Sequence, residues 1–145
     1  MNVRIGTQLQ QRIFAQLQTN YPNEGGGFLL GTRDETHGLI SLREARPVTN
    51  TFASEEQFHR YAMTPGDWAR MEDEADAAGL TLVGYYHSHP DSAAIPSEYD
   101  RVYALPRFCY LITSVRNAHA AECRAWELSD DRAQFRELAL SVDAS

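Results

Sequence analysis

The run HSHPDSAAIPSEYD, His87 to Asp100, places two histidines one residue apart and then a serine three residues before an aspartate. The letters around the histidines, TLVGYYHSH, predict a strand that Pro90 ends. Side chains alternate along a strand, so His87 and His89 project from the same face, about 6–7 Å apart at the backbone. Two imidazoles so placed can meet on one metal ion at bonds of about 2.0–2.1 Å. Ser88 points the other way. A loop then carries the chain to Ser97, and Asp100 faces back toward the histidines from the first turn of a helix. Two histidines and one carboxylate leave the fourth corner of a tetrahedron open to water, the pattern of a catalytic zinc site rather than a structural one.

The same residues have plainer readings. An isolated H-x-H near a strand end is more often a pair of surface or hydrogen-bonded side chains than a pair of ligands. Ser97 and Asp100 also satisfy a capping box, a serine N-cap with an acid three residues on. The two readings are compatible, because a cap fixes the backbone and leaves a carboxylate oxygen free. His37, His59 and His119 have no partner at ligand spacing and read as surface or loop residues, and Tyr85 and Tyr86 as core packing. Cys109 and Cys123 lack C-x-x-C spacing and read as small buried thiols on strands; a redox pair would require those strands to be neighbours.

Elements on both sides must position these residues. Thr7 and Gln10 fit a capping box, and Leu9, Ile13 and Leu17 recur at helical spacing until Tyr21-Pro22. Gly25-Gly26-Gly27 breaks any helix, and GFLLG predicts a short buried strand. LISLREARPV predicts a second strand, reached through a turn over Asp34 to Gly38. TNTFASEEQ reads as a polar loop and FHRYAM as another strand.

A helix follows, with Thr64 as N-cap, Pro65 at its first position and Asp67 in its first turn. Trp68, Met71, Ala75 and Ala78 make its apolar stripe, and Gly79 supplies the stop. Beyond the histidine strand, a helix runs from near Ser97 to before Pro106. FCYLITSV is apolar almost throughout and suits a central strand covered on both faces. AECRAWEL alternates in part, and the tail from Phe135 to Leu140 fits strand or helix. Strands interleaved with three helices predict an α/β fold, a single-domain α/β/α sandwich over residues 1–145 with a mixed, partly antiparallel central sheet.

Length and composition are those of one globular unit, able to bury roughly two thirds of the surface its unfolded chain exposes. A formal charge of −7 with no basic cluster argues against a nucleic-acid partner. The start, MNVRIGTQLQQRIF, lacks the apolar core of a signal peptide, and no run approaches the roughly 20 apolar residues of a membrane span. The expectation is a cytoplasmic protein without a membrane partner.

The complete string is H-x-H-P-x6-S-x2-D, and far upstream YPNEGGGFLLG supplies a glutamate, Glu24, followed by glycines and an apolar strand. With these motifs, and with the order of elements from the first helix through FCYLITSV, the chain resembles the JAMM (MPN+) metallopeptidases over roughly residues 1–128. It looks like their short bacterial and archaeal single-domain members. The resemblance implies a JAMM/cytidine-deaminase-like fold and one Zn2+ per chain, bound by His87, His89 and Asp100. It also implies that Glu24 is the general base and that Ser97 helps to stabilise the oxyanion. The chemistry is coherent on its own terms. Zinc brings the pKa of its water to about 7 and polarises a carbonyl. A carboxylate that shuttles the proton to the leaving amine typically contributes 10²–10⁴-fold, and a serine hydroxyl adds a preorganised donor.

Asp91 and Glu98 compete with Glu24 by nearness in sequence. Glu98 is expected to face solvent, and Asp91 follows a turn-forming proline. The glycines after Glu24 read as a close approach of backbone to the site, or as open backbone that admits an extended substrate tail. Family substrates are often conjugates at the C-terminal diglycine of ubiquitin or a ubiquitin-like β-grasp protein. Some short members release an amino acid from a sulfur-carrier protein, and others remove small modifiers; size and architecture favour the former. The wider family also holds non-catalytic scaffolds that have lost the ligands, whereas every matched position is intact here. A nucleoside deaminase, of related fold, would need H-x-E and P-C-x-x-C, and neither occurs.

Overall fold

The computed structural model describes residues 1–48 and 65–145. Strand β1 (Asn2–Gly6) runs straight into helix α1 (Thr7–Asn20), and β2 (Gly26–Asp34) and β3 (Leu39–Val48) form a hairpin. Helix α2 (Pro65–Ala77) leads to β4 (Thr81–Pro90), and the short α3 (Glu98–Tyr103) connects β4 to β5 (Cys109–Arg116). The chain finishes through β6 (His119–Leu128) and β7 (Phe135–Asp143). The proposed loop over residues 49–57, the strand at 58–63, His59 and the Thr64 cap lie outside the described residues.

The sheet is mixed, as expected, but it is not the middle layer of an open sandwich. Its strands follow the order β1-β3-β2-β4-β5-β6-β7 and close into a barrel. Closure comes from β1, which pairs in parallel with β3 on one side and β7 on the other. This five-residue strand, absent from the expectations, buries Val3 and Ile5 and exposes Asn2 and Arg4. Among the described residues it leaves none of the seven strands as a free edge. The tail is strand throughout, because β7 must pair with both β6 and β1.

Around the centre of the sheet both faces are nonetheless covered. Leu9, Ile13 and Leu17 of α1 pack with Leu29, Tyr86 and Leu111. Met71 and Ala75 of α2 pack with Phe28, Leu30, Tyr85 and Tyr110. Strands β2, β4 and β5 therefore bury successive side chains in two different clusters, and β5 is buried except for Arg116. That double cover is what an almost wholly apolar FCYLITSV requires.

Local signals fared unevenly. Thr7 is not a cap: α1 starts after Gly6 with no side-chain cap, and the Thr7 hydroxyl donates to the Asp143 carbonyl at 2.6 Å instead. Helix α2 ends as expected, with Gly79 at φ +70° and the Leu80 N–H donating to the Ala75 carbonyl at 2.8 Å. Ala78 lies past that end and is exposed, so the buried stripe is Met71 and Ala75 with Trp68 beside them. Cys123 sits opposite Thr113, four residues along β5 from Cys109. The two thiols are on neighbouring strands but not across from each other, and both are free.

Candidate metal centre

Strand β4 is held between an antiparallel β2 and a parallel β5, with His87 opposite Gly26 on one side and Ile112 on the other. Its register is thus set from both edges. His87 and His89 share a face with Tyr85, while Ser88 turns to the other. The ring centroids of His87 and His89 stand 5.1 Å apart and their Nε2 atoms 3.2 Å apart. Both residues are buried, at 1% and 8% exposure.

Asp100 arrives from α3, and the cap expected at Ser97 is what aims it. The Asp100 N–H donates to Ser97 Oγ at 3.0 Å, and the Ser97 N–H donates to Asp100 Oδ2 at 2.8 Å, a complete capping box. The carboxylate still reaches the histidines. Its Oδ1 lies 3.2 Å from His87 Nε2 and its Oδ2 3.2 Å from His89 Nε2. The cap and the ligand geometry are one arrangement, made by a single buried carboxylate.

These three side chains could hold a metal ion, their potential ligand atoms all lying within 4.8 Å of one another. A tetrahedral ion with bonds of about 2.0–2.1 Å needs donors about 3.3–3.4 Å apart, close to the separations seen. The protonation pattern points the same way. His89 Nδ1 lies 2.9 Å from the Ala93 carbonyl oxygen, which can only accept, so that nitrogen carries a proton. In neutral His89 the other nitrogen is then a lone pair, directed at the Asp100 carboxylate and His87 Nε2. Facing lone pairs in a buried site call for a shared cation. The backbone carbonyl that orients His89 is the usual second partner of a metal-binding imidazole. Without a metal, a proton must do this work. Burial opposes the His87 cation, but the Asp100 charge and hydrogen bond, with Glu24, leave its pKa raised. Burial would raise Asp100; the two histidines and the Ser97 N–H instead hold it well below the usual carboxylate range.

Glu24 lies just before β2, half-buried and near enough to His87, Asp100 and His89 for each to act on its carboxyl. Burial pushes its pKa up to about 7; His87 pulls it down and Asp100 adds to the rise. Its rivals are engaged elsewhere. Glu98 pairs with Arg101 on the exposed side of α3. Asp91 accepts from the Tyr21 hydroxyl at 2.6 Å and from the Asn117 N–H at 2.9 Å. Ser97 itself is exposed at the helix start. His37 pairs with Asp34, and His119 opens β6 on the surface, so neither joins the cluster.

Ser88 and Gln16 were not among the sequence-derived site residues, yet both grip the chain next to Glu24. The Gly25 N–H donates to Ser88 Oγ at 3.0 Å, and Gln16 Nε2 donates to the Gly26 carbonyl at 3.0 Å. The signal for Ser88 was its place between the histidines, where alternation turns it toward the opposite face. The signal for Gln16 was only a polar residue flanking the Ile13 stripe. The glycines are closed rather than open. A Cβ on Gly26 would stand 2.7 Å from the Tyr85 hydroxyl and from the Tyr86 carbonyl oxygen, so the space beside it is filled by the protein.

The family described as prokaryotic homologs of the JAB domain matches residues 6–129. The chain belongs to this family. Among curated proteins it is 34% identical over 123 residues to a desampylase of Haloferax volcanii, covering 84% of this chain and 80% of that one. It is 29% identical over 131 residues to a CysO-cysteine peptidase of Mycobacterium tuberculosis, covering 87% and 82%. Among solved structures, a Salinibacter ruber protein superposes with a TM-score of 0.73 at 34% identity, over 99% of this chain and 92% of that one. A Desulfitobacterium hafniense protein superposes with a TM-score of 0.82 at 22% identity, over 99% and 94%, a likeness of fold. The JAB-family match spans the whole centre, from the segment bearing Glu24 to Asp100.

Proposed function

We propose that this JAB-family chain is a zinc-dependent hydrolase that cleaves the peptide or isopeptide bond after the C-terminal diglycine of a ubiquitin-like or sulfur-carrier protein. Residues 1–145 would act as one catalytic domain. The observation that carries the reading is the convergence of His87, His89 and Asp100 beside the half-buried carboxyl of Glu24. Membership of a family whose curated relatives include a desampylase and a CysO-cysteine peptidase supports the substrate class.

His87, His89 and Asp100 would hold the zinc, one ion per chain. When bound there, zinc supplies Lewis acidity, polarising a carbonyl and making water a nucleophile near neutral pH. Glu24 removes the proton from the attacking water and delivers it to the departing amine. A carboxyl held beside the attacking water can do both in turn, taking the proton as a base and returning it as an acid. Ser97 Oγ already accepts from Asp100, so its own hydroxyl hydrogen is left as a donor to the oxygen that gains charge in the transition state. Ala93 fixes the His89 tautomer through its carbonyl.

The test uses sulfur-carrier and ubiquitin-like proteins that carry residues beyond their diglycine, incubated with zinc-loaded protein and read by intact mass. Loss of the residues beyond the diglycine is expected. If zinc-loaded, folded protein trims none of them, the substrate assignment is overturned.

A further inference from the structure

Glu24 meets the centre on an arm that cannot stiffen itself. Three glycines follow it, and glycine limits its backbone angles less than any other residue. Packing demands Gly26 and Gly27, and the Asn20 side chain crowds Gly25. A Cβ on Gly25 would run into the Asn20 side chain, and one on Gly27 into the Arg46 carbonyl oxygen and the Tyr86 ring. Gly26 is closed by Tyr85 and Tyr86 in the same way. The ladder pairing of β2 begins at Gly26, so Glu24 lies beyond the last residue that the sheet itself fixes. A general base must nevertheless hold its carboxylate within hydrogen-bond reach of the proton it takes. Restraint has to come from neighbouring residues.

Two supply it. Ser88 binds both polar groups of Gly25: it accepts from the Gly25 N–H through Oγ and donates its own N–H to the Gly25 carbonyl, each at 3.0 Å. Gln16, on α1, holds the next peptide. Its Nε2 donates to the Gly26 carbonyl at 3.0 Å, and its Oε1 accepts from the Tyr86 hydroxyl. The amide orientation follows from the partners, since the Gly26 carbonyl can only accept. Gln16 borders an open pocket with Arg12, Ala45 and Pro47, so close packing does not fix its side chain; the two hydrogen bonds do. Tyr86, fully buried among core residues, anchors the far end of this link.

We propose that Gln16 is a positioning residue for the reaction. By holding the Gly26 carbonyl from α1, it fixes the direction from which the chain enters β2 and thereby sets Glu24 against His87, His89 and Asp100. The proposal rests on Glu24 being the base, and its test therefore includes a reading that does not depend on catalysis.

Hydrogen exchange of the Gly25 and Gly26 amides would be followed in metal-free protein for Q16A, Q16E and Y86F. Q16E is the decisive variant. It is nearly isosteric and still accepts from Tyr86, but its carboxylate presents only acceptors to the Gly26 carbonyl. Q16A and Q16E should speed exchange at Gly25 and Gly26 by about five- to tenfold, the loss of one modest hydrogen bond. Leu29 and Leu111 in the strands should keep their wild-type rates, and Y86F, which retains the Gly26 bond, should change Gly25 less than Q16E does. In the zinc-loaded protein, kcat should fall by a similar factor with KM and zinc content unchanged. Wild-type exchange at Gly25 in a folded Q16E, or wild-type kcat in an enzyme that does cleave diglycine extensions, would overturn the proposal. If wild-type protein cleaves no such extension, the functional reading fails, and exchange at Gly25 still decides whether Gln16 holds the arm.

Discussion

Ser88 and Gly25 exchange two hydrogen bonds, the Gly25 N–H to Ser88 Oγ and the Ser88 N–H to the Gly25 carbonyl. This pair joins the two halves of the centre. Ser88 separates His87 from His89 on β4, and Gly25 follows Glu24 at the mouth of β2. The residue that alternation turns away from the two histidines therefore secures the carboxyl that faces them. Ser88→Ala would leave a buried Gly25 N–H without its acceptor, at a cost of about 1–3 kcal/mol in urea unfolding. Zinc content should stay at the wild-type level, since neither histidine moves faces. A loss of zinc in folded S88A would mean that the strand, and not only the Glu24 arm, depends on this bond.

Removing a ligand should act on metal and stability together. His87→Ala should abolish stoichiometric zinc, read by elemental analysis of the purified protein. The wild-type chain should also gain thermal stability on adding zinc, by about 2.7 kcal/mol when free zinc stands at a hundred times its dissociation constant. H87A should show no such gain. A wild-type protein that is folded, yet neither binds zinc nor is stabilised by it, would defeat the assignment of His87, His89 and Asp100 as ligands.

Asp100 and Ser97 allow the cap and the metal site to be separated. Asp100→Asn keeps an oxygen that can accept from the Ser97 N–H but removes the negative charge. It should leave α3 in place, judged by the Ala104 amide, which donates to the Asp100 carbonyl, and should still weaken zinc binding. Ser97→Ala removes the acceptor for the Asp100 N–H and should cost about 1 kcal/mol of stability. It should retain zinc while slowing hydrolysis, because the free hydroxyl hydrogen goes with it. Equal zinc affinity in D100N and wild type would show that the carboxylate is only a cap.

Much of this centre could be read from the chain because its logic is local. Alternation over His87-Ser88-His89 and the Ser97–Asp100 box each act within a few residues, and neighbouring elements did not override them. Glu24 was found only through resemblance, since no local rule ties a glutamate before GGG to a strand far downstream; the register Gly26 to His87 does that. Barrel closure was missed for a similar reason. Asn2–Gly6 is too short to declare itself by periodicity, and its partners Leu39–Leu42 and Ala139–Asp143 are remote in sequence. Gln16 was missed because a glutamine on a helix reads as solvent-facing until Gly26 and Tyr86 are seen beside it.

The parallel pairing of β4 and β5 places the histidines, and it passes through a contact that tolerates no side chain. Gly84 pairs with Cys109, and a Cβ at Gly84 would stand far inside van der Waals contact with the Cys109 carbonyl oxygen. Backbone cannot yield as a flexible side chain does. Gly84→Ala should therefore destabilise by more than about 3 kcal/mol, the scale of a severe core defect, and reduce zinc binding by shifting β4. Wild-type urea stability in G84A would contradict the close approach of these strands.

Glu24 makes a prediction about stability that needs neither substrate nor metal. Its pKa rises from an ordinary 4.5 to about 7 in the fold. Between those values the folded protein holds a proton that the unfolded chain has released. Stability falls with pH wherever the folded state binds more protons. The contribution is thus fully present below pH 4.5 and lost as pH climbs through about 7. A shift of this size corresponds to up to about 3 kcal/mol. Glu24→Gln cannot ionise and carries no such dependence, while most of the opposing effect of Asp100, which is lost as pH falls, is set by the two histidines and the Ser97 N–H and is common to both proteins. In chelator-treated samples, urea unfolding at pH 5 and pH 8 should show the wild type losing about 2–3 kcal/mol relative to E24Q. Parallel pH profiles for the two proteins would mean that the Glu24 carboxyl is hydrated and ordinary, and that a base poised near neutrality must be sought elsewhere in the centre.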